Sequence, residues 1–157
     1  KALVKLEKKY DVTIITQNVD DLHERAGSSK VFHLHGELLK ARSTGDPNLI
    51  YPWEKDITLQ DKCEKGYQLR PDIVWFGEMV PMMDLAVEFT RKADILIVIG
   101  TSLVVYPAAS LIHYTDITVQ KYLIDPNQPS NMPSNFEYLP YSASIGVPYL
   151  VENLLNA

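Results

Sequence analysis

The sequence predicts an α/β domain in which a parallel β-sheet carries helices on both faces. Three apolar, largely β-branched runs, at 12–16, 95–99 and 119–124, lack polar alternation, as strands do when both faces of their sheet are covered. Stretches of helical period alternate with them, which is the pattern of α/β folds. A length of 157 residues with 46% hydrophobic and 22% charged residues fits one ordinary globular domain and excludes disorder for the bulk of the chain.

The elements follow in order. The opening KALVKLEKKY places Leu3, Leu6 and Tyr10 on one helical stripe and has none of the apolar core of a signal peptide. It also lacks an initiator Met, so the chain reads as a piece of something longer or a processed product. The run at 12–16 is the first strand. Residues 32–35 are a shorter strand candidate stopped by Gly36. Residues 42–69 hold Gly45, Pro47, Pro52 and Gly66 and no convincing period, so residues 40–70 read as a small inserted subdomain. Residues 73–76, bounded by Pro71 and Gly77, form another short strand, with Trp75 or Phe76 in the core if the strand is plain. Met79, Met82 and Met83 read as gap-filling side chains. Helices are expected at 84–92 and 106–114, a proline-rich loop at 126–140 and a last helix at 147–154.

Composition narrows the function. With 15 basic and 20 acidic residues the net charge is −5, which argues against a binder of nucleic-acid backbones. The longest apolar run has five residues, against the roughly 20 that cross a bilayer, so no membrane span is expected. A single cysteine, Cys63, excludes an intrachain disulfide and a Cys-rich zinc site. It fits a reducing compartment, the cytoplasm.

Ligands of open parallel sheets bind beyond the carboxyl ends of the strands. Gln17, Asn18 and Asp20 follow the first strand, and amides with a carboxylate suit ribose hydroxyls or a carboxamide. Capping of the next helix is the bland alternative for the same residues. Gly100, Thr101 and Ser102 follow the run at 95–99. There a glycine allows close backbone approach and a helix start favours an anion. Asp125 and Asn127 follow the run at 119–124, where a ribose contact competes with a proline-driven turn.

His33 and His35 alternate along one strand and share a face. A metal site is not expected, because no further Cys or His has suitable spacing. One histidine beside Gly36 is better placed as a general base near neutral pH. His33, inside the strand, reads as a core histidine satisfied by backbone groups. The aromatic segment DIVWFGE at 72–78 could offer an open edge to an extended peptide.

Together, TQNVDDLHERAG (16–27), HLHGEL (33–38), RPDIVWFGE (70–78), GTSLVVYPAA (100–109) and GVPYLVENLL (146–155) resemble the NAD-dependent sirtuin deacylases, most closely the bacterial type that includes the desuccinylases. The resemblance implies a Rossmann-like catalytic domain over 1–157 and acyl-lysine protein or peptide substrates. It implies Gln17 at the NAD ribose, Asn18 and Asp20 in the nicotinamide pocket, and His35 as catalytic base. Gly100, Thr101 and Ser102, with Val105 close by, would hold the phosphate and ribose region, and Asp125 the adenine-side ribose. Val74, Phe76, Gly77 and Glu78 would line the acyl-lysine tunnel and pair with the substrate backbone.

Three departures follow from the same comparison. The family's opening GAGxS turn does not occur here, so the first strand, the glycine loop and the acyl-selecting Tyr and Arg are expected to be missing. The two zinc-binding Cys pairs are replaced by Cys63 alone, with Ser43 at a cysteine position, so a zinc-free subdomain is expected. The usual Ile-Asn at the adenine end is Ile124-Asp125. A deacylase is the first expectation; a non-catalytic fragment or partner-binding module without tight NAD binding is the alternative.

Overall fold

The computed structural model describes residues 1–130 and 132–157. The chain runs α1 (Ala2–Leu6), β1 (Ile14–Thr16), α2 (Leu22–Ala26), β2 (Val31–His33), β3 (Gly36–Ser43), β4 (Ile50–Pro52), β5 (Leu69–Ile73), α3 (Met83–Arg91), β6 (Ile95–Ile99), a 3-10 helix (Ala108–His113), β7 (Gln120–Ile124), β8 (Glu137–Leu139) and α4 (Ala143–Asn156). Among the described residues no helix is long and apolar enough to cross a membrane.

Parallel pairing joins β1 to β2 and β6 to β7 to β8, with Ile95 opposite Gln120 and Ile99 opposite Ile124. Strand pleat sends alternate residues to opposite faces. On one face of β6–β8, Ile95, Ile97, Ile99, Tyr122, Ile124 and Leu139 pack with Leu6 of α1 and Leu150, Val151 and Leu154 of α4. On the other, Leu96, Val98, Leu123 and Tyr138 meet Leu103, Ile112 and Phe136. Both faces are thus covered, which is why these strands carry continuous apolar runs. Gly146 of α4 is part of this fit, since a Cβ there would lie 2.5 Å from the Ile124 side chain.

The region at 42–69 departs from the parallel plan. β3 pairs antiparallel with both β4 and β5, and Ala41, Cys63 and Leu69 form a separate small core with Leu49, Tyr51, Trp53 and Ile57 beside it. Short strands interrupted by proline and glycine left no period to read in the sequence.

Several boundaries move. Gly36 does not stop a strand at 32–35; it begins β3 after a turn at Leu34–His35, with φ +83. The strand expected at 73–76 ends at Ile73, and Trp75 and Phe76 are 58% and 100% exposed rather than core. Met79 is exposed, while Met82 packs beside Leu34 and Ala86. The 106–114 helix is a six-residue 3-10 helix. The loop at 126–140 contains β8, and its residue 131 lies outside the described residues. The last helix begins at Ala143, four residues before the expected start.

Candidate active site

β1 ends at Thr16, whose carbonyl accepts from Leu34 N–H at 2.9 Å and whose hydroxyl accepts from Asn18 N–H at 3.1 Å. That turn aims the chain out of the sheet, so Gln17 is half-buried and Asn18 exposed. Asp20 Oδ1 accepts from Leu22 N–H at 3.1 Å at the start of α2. The capping role weighed for this carboxylate is therefore present, and its second oxygen is left for other contacts.

Both histidines reach back to this turn. His33 is 8% exposed, with Nδ1 2.9 Å from the Asn18 carbonyl and Nε2 2.8 Å from Glu24 Oε1. It is the satisfied core histidine that its place in the strand suggested, although a carboxylate completes its bonding. His35 is half-buried, with Nδ1 3.2 Å from the Gln17 carbonyl. A carbonyl only accepts, so Nδ1 carries the hydrogen in that bond and Nε2 of the neutral ring keeps a lone pair. His35 is thereby oriented by a backbone contact that a sequence does not reveal.

The segment after β5 is fixed by a charge cluster that motif reading passed over. Glu78 accepts from Arg70 at 2.5 and 3.0 Å, from Arg42 at 2.9 Å and from Trp75 N–H at 3.0 Å. The same two arginines donate to the Ile73 carbonyl at 2.8 and 3.2 Å, and the Arg70 guanidinium lies 4.6 Å from the centre of the Trp75 ring. The Arg70 hydrogen bonds, followed by the Trp75 amide, pull the Glu78 carboxyl down to about 2. The Glu78 carboxylate is thus bonded within the chain, while Val74 N–H donates to the His35 carbonyl at 2.9 Å. Gly77 takes φ +88. Arg70 and Arg42 were the missed residues; both precede Glu78, by 8 and 36 positions, so only the pairing of β3 with β5 brings them together.

The ends of β6 and β7 emerge side by side, because Ile99 and Ile124 are in register and Gly100 N–H donates to the Ile124 carbonyl at 2.9 Å. Gly100 has φ +60, and a Cβ there would meet nothing within 4 Å, so the backbone is open to a ligand. Thr101 Oγ1 accepts from Leu103 N–H at 3.2 Å, and Ser102 is exposed. Val105 is 37% exposed. Asp125 Oδ1 accepts from Asn127 N–H at 2.8 Å, the turn contact foreseen for this end. The β1 group and this group are bridged by apolar packing: Leu34, Ala86 and Ala108, with Ile15, Val80, Met82 and Leu111 around them.

Parallel strands whose ends expose amides, hydroxyls, a carboxylate and open glycine backbone define an α/β protein of the class that binds ligands beyond the carboxyl ends of its strands. Residues 1–107 match the Sir2 family. An NAD-dependent protein deacylase of Helicobacter pylori (strain ATCC 700392 / 26695) is 53% identical over 157 residues, covering 99% of this chain and 69% of that protein. A variant of a Sir2 homologue in complex with ADP-ribose superposes with a TM-score of 0.86 at 40% identity, covering 99% of this chain and 65% of that one. A Sir2 protein bound to a propionylated peptide gives 0.80 at 31% identity, covering 99% and 70%. The chain belongs to the Sir2 family, and it spans about two thirds of the length of these relatives.

Proposed function

We propose that this chain carries the catalytic face of an NAD-dependent protein-lysine deacylase, which transfers the acyl group of a modified lysine to ADP-ribose with release of nicotinamide. The observation that carries the reading is His35, held through Nδ1 by the Gln17 carbonyl with Nε2 left as acceptor. The deacylase name of the H. pylori relative supports it, as do the ADP-ribose and propionylated-peptide ligands of the Sir2 structures.

The residues present fit NAD. Gln17 and Asn18 offer amides beyond β1, and Gly100 leaves open backbone beside Thr101, Ser102 and Asp125. Bound NAD supplies a ribose whose nicotinamide leaves and whose hydroxyls react. Asn18 and Asp20 orient the nicotinamide end, and an acceptor set there favours the positive charge that develops as that bond breaks. His35 Nε2 takes a proton from a ribose hydroxyl, a step typically worth about 10²–10⁴-fold. Gln17 holds the ribose, with Val105 at the wall and Asp125 on the far ribose. Val74, Phe76 and Gly77 receive the acyl-lysine segment. Glu78 lines it only through its hold on the loop, since its oxygens are taken by Arg70, Arg42 and Trp75.

The finer readings are ours as well. Residues 40–70 are a zinc-free remnant of the inserted subdomain, supported by Cys63 facing the Ser43 hydroxyl at 3.2 Å, one thiol where zinc needs several ligands. A bacterial, desuccinylase-like specificity and a cytoplasmic setting rest on the motif wording and the buried single thiol.

The test is release of nicotinamide by the full-length protein incubated with NAD and acetyl- or succinyl-lysine peptide. His35→Ala should slow release by about 10²–10⁴-fold. Equal rates would remove His35 from the reaction, and no release by either protein would favour the binding-module reading.

A further inference from the structure

The two histidines of the strand differ in what their second nitrogen meets. His35 has one carbonyl partner, whereas both nitrogens of His33 face acceptors, the Asn18 carbonyl at 2.9 Å and the Glu24 carboxylate at 2.8 Å. A neutral imidazole carries one N–H and can serve only one acceptor. Serving both needs two N–H groups, hence an imidazolium beside an ionised Glu24. The Glu24 side chain is 41% exposed, so water solvates its charge, while the His33 side chain is only 6% exposed.

We propose that His33 is a positioning residue for the cofactor-facing loop: as an imidazolium it ties the Asn18 backbone to Glu24 on α2 and fixes the path of Gln17, Asn18 and Asp20. This rests on the reading of that loop as the nicotinamide wall. The surroundings agree. Asp20 and Asp21 of the loop, Glu24 of α2 and Glu37 of β3 line one recess of about 70 Å³ with His33. Lys40 holds Glu37 at 2.6 Å, and the charge of His23 reaches Glu24. Burial alone would lower the imidazole pKa, but the Glu24 hydrogen bond, the Asn18 carbonyl and the charges of Glu24 and Glu37 outweigh it and raise it above 6.5. Glu24 is lowered in turn, because the His33 hydrogen bond overcomes its desolvation.

The consequence is a loop whose order depends on pH. A raised folded-state pKa means the tie is fully present below about 6.5 and is lost as pH rises through the folded value. Above it the neutral ring keeps one N–H, so either the bond to the Asn18 carbonyl or the bond to Glu24 is lost and the ring no longer ties the two together.

The experiment is a titration of the 157-residue chain labelled with ¹⁵N and followed by magnetic resonance. His33→Gln assigns the His33 ring signals among the four histidines. At pH 6 the His33 ring should show two protonated nitrogens. Its midpoint should lie above 6.5, with the Asn18 and Val19 amide signals moving at that same midpoint. Glu24→Gln, a change at a partly exposed side chain, should shift both midpoints down together. In nicotinamide release by the full-length protein, Glu24→Gln should move the alkaline limb of the pH profile downward and leave the acid limb in place. A single neutral tautomer at pH 6, or Asn18 signals that ignore the His33 titration, overturns the proposal. The ring and amide signals need no deacylation, so they stand or fall apart from the enzyme reading.

Discussion

Replacing Gly36 by alanine tests whether the turn that carries His35 is locked by backbone contact. Gly36 has φ +83, and a Cβ there would sit 1.9 Å from the Asp72 carbonyl oxygen, 2.8 Å from its carbon and 3.1 Å from Ile73 Cα. None of these atoms is the end of a flexible side chain, so β3 and β5 must separate where Gly36 pairs with Ile73. The left-handed backbone costs alanine about 1–2 kcal/mol. Separation also loses the ladder contact and the Val74 N–H bond to His35 at 2.9 Å, at about 0.5–1.5 kcal/mol each. The total is about 3 kcal/mol. Gly66→Ala is the control: its φ is +80, but its Cβ would meet nothing within 4 Å, so about 1–2 kcal/mol is expected. Urea unfolding of both variants at neutral pH reads the difference. Equal losses at the two positions would refute a backbone lock at Gly36. Because His35 shares the strained turn, Gly36→Ala in the full-length protein should also lower nicotinamide release, by up to about 10²-fold for a shift near 1 Å.

Two further changes read other parts of the same scaffold. Glu78 is held near 2 against an ordinary 4.5, so its contribution is present above pH 4.5 and is lost as pH falls through 2. Glu78→Gln should therefore be less stable than the parent at pH 7, with the gap closing between pH 4.5 and 2 in urea titrations; a gap of constant size would dismiss the arginine clamp as its cause. Leu34 is 1% exposed between Ala86 and Ala108, so Leu34→Ala should cost about 2–5 kcal/mol, and a loss below 1 kcal/mol in denaturant unfolding would show that this bridge between the two groups of site residues is not packed as described.

What the sequence disclosed, and what it hid, divides along physical lines. The runs at 95–99 and 119–124 were legible because burial on both faces of β6 and of the end of β7 demands consecutive apolar residues, including Leu123 and Ile124, which are fully buried. The antiparallel sheet at 36–73 was not, since β4 has three residues and its burial alternates exposed and half-buried. α4 was expected only from 147, yet the helix already runs from Ala143, with Gly146 N–H bonded to the Ser142 carbonyl at 2.8 Å and Pro148 inside it. Trp75 and Phe76 look like core by composition. They stand in solvent because Arg70 and Arg42 fold the segment onto Glu78 rather than into a strand. Gln17, Asn18 and His35 could be singled out by residue type. That the Gln17 carbonyl sets the His35 tautomer depends on a main-chain atom, and main-chain atoms carry no letter in a sequence.

The places of His33 and His35 explain how one short segment supplies two different environments. His33 ends β2 and His35 lies in the turn that follows, and both rings meet the turn after β1. His33 pairs with Thr16 inside the β1–β2 ladder, where the strand and α2 enclose it and deliver Glu24. His35 lies past the last paired residue, where only the Gln17 carbonyl reaches it. Depth along the ladder therefore separates a ring with two acceptor partners from one with a single carbonyl partner. Exchanging their surroundings, by removing Glu24 from the first or adding a carboxylate beside the second, would erase that distinction.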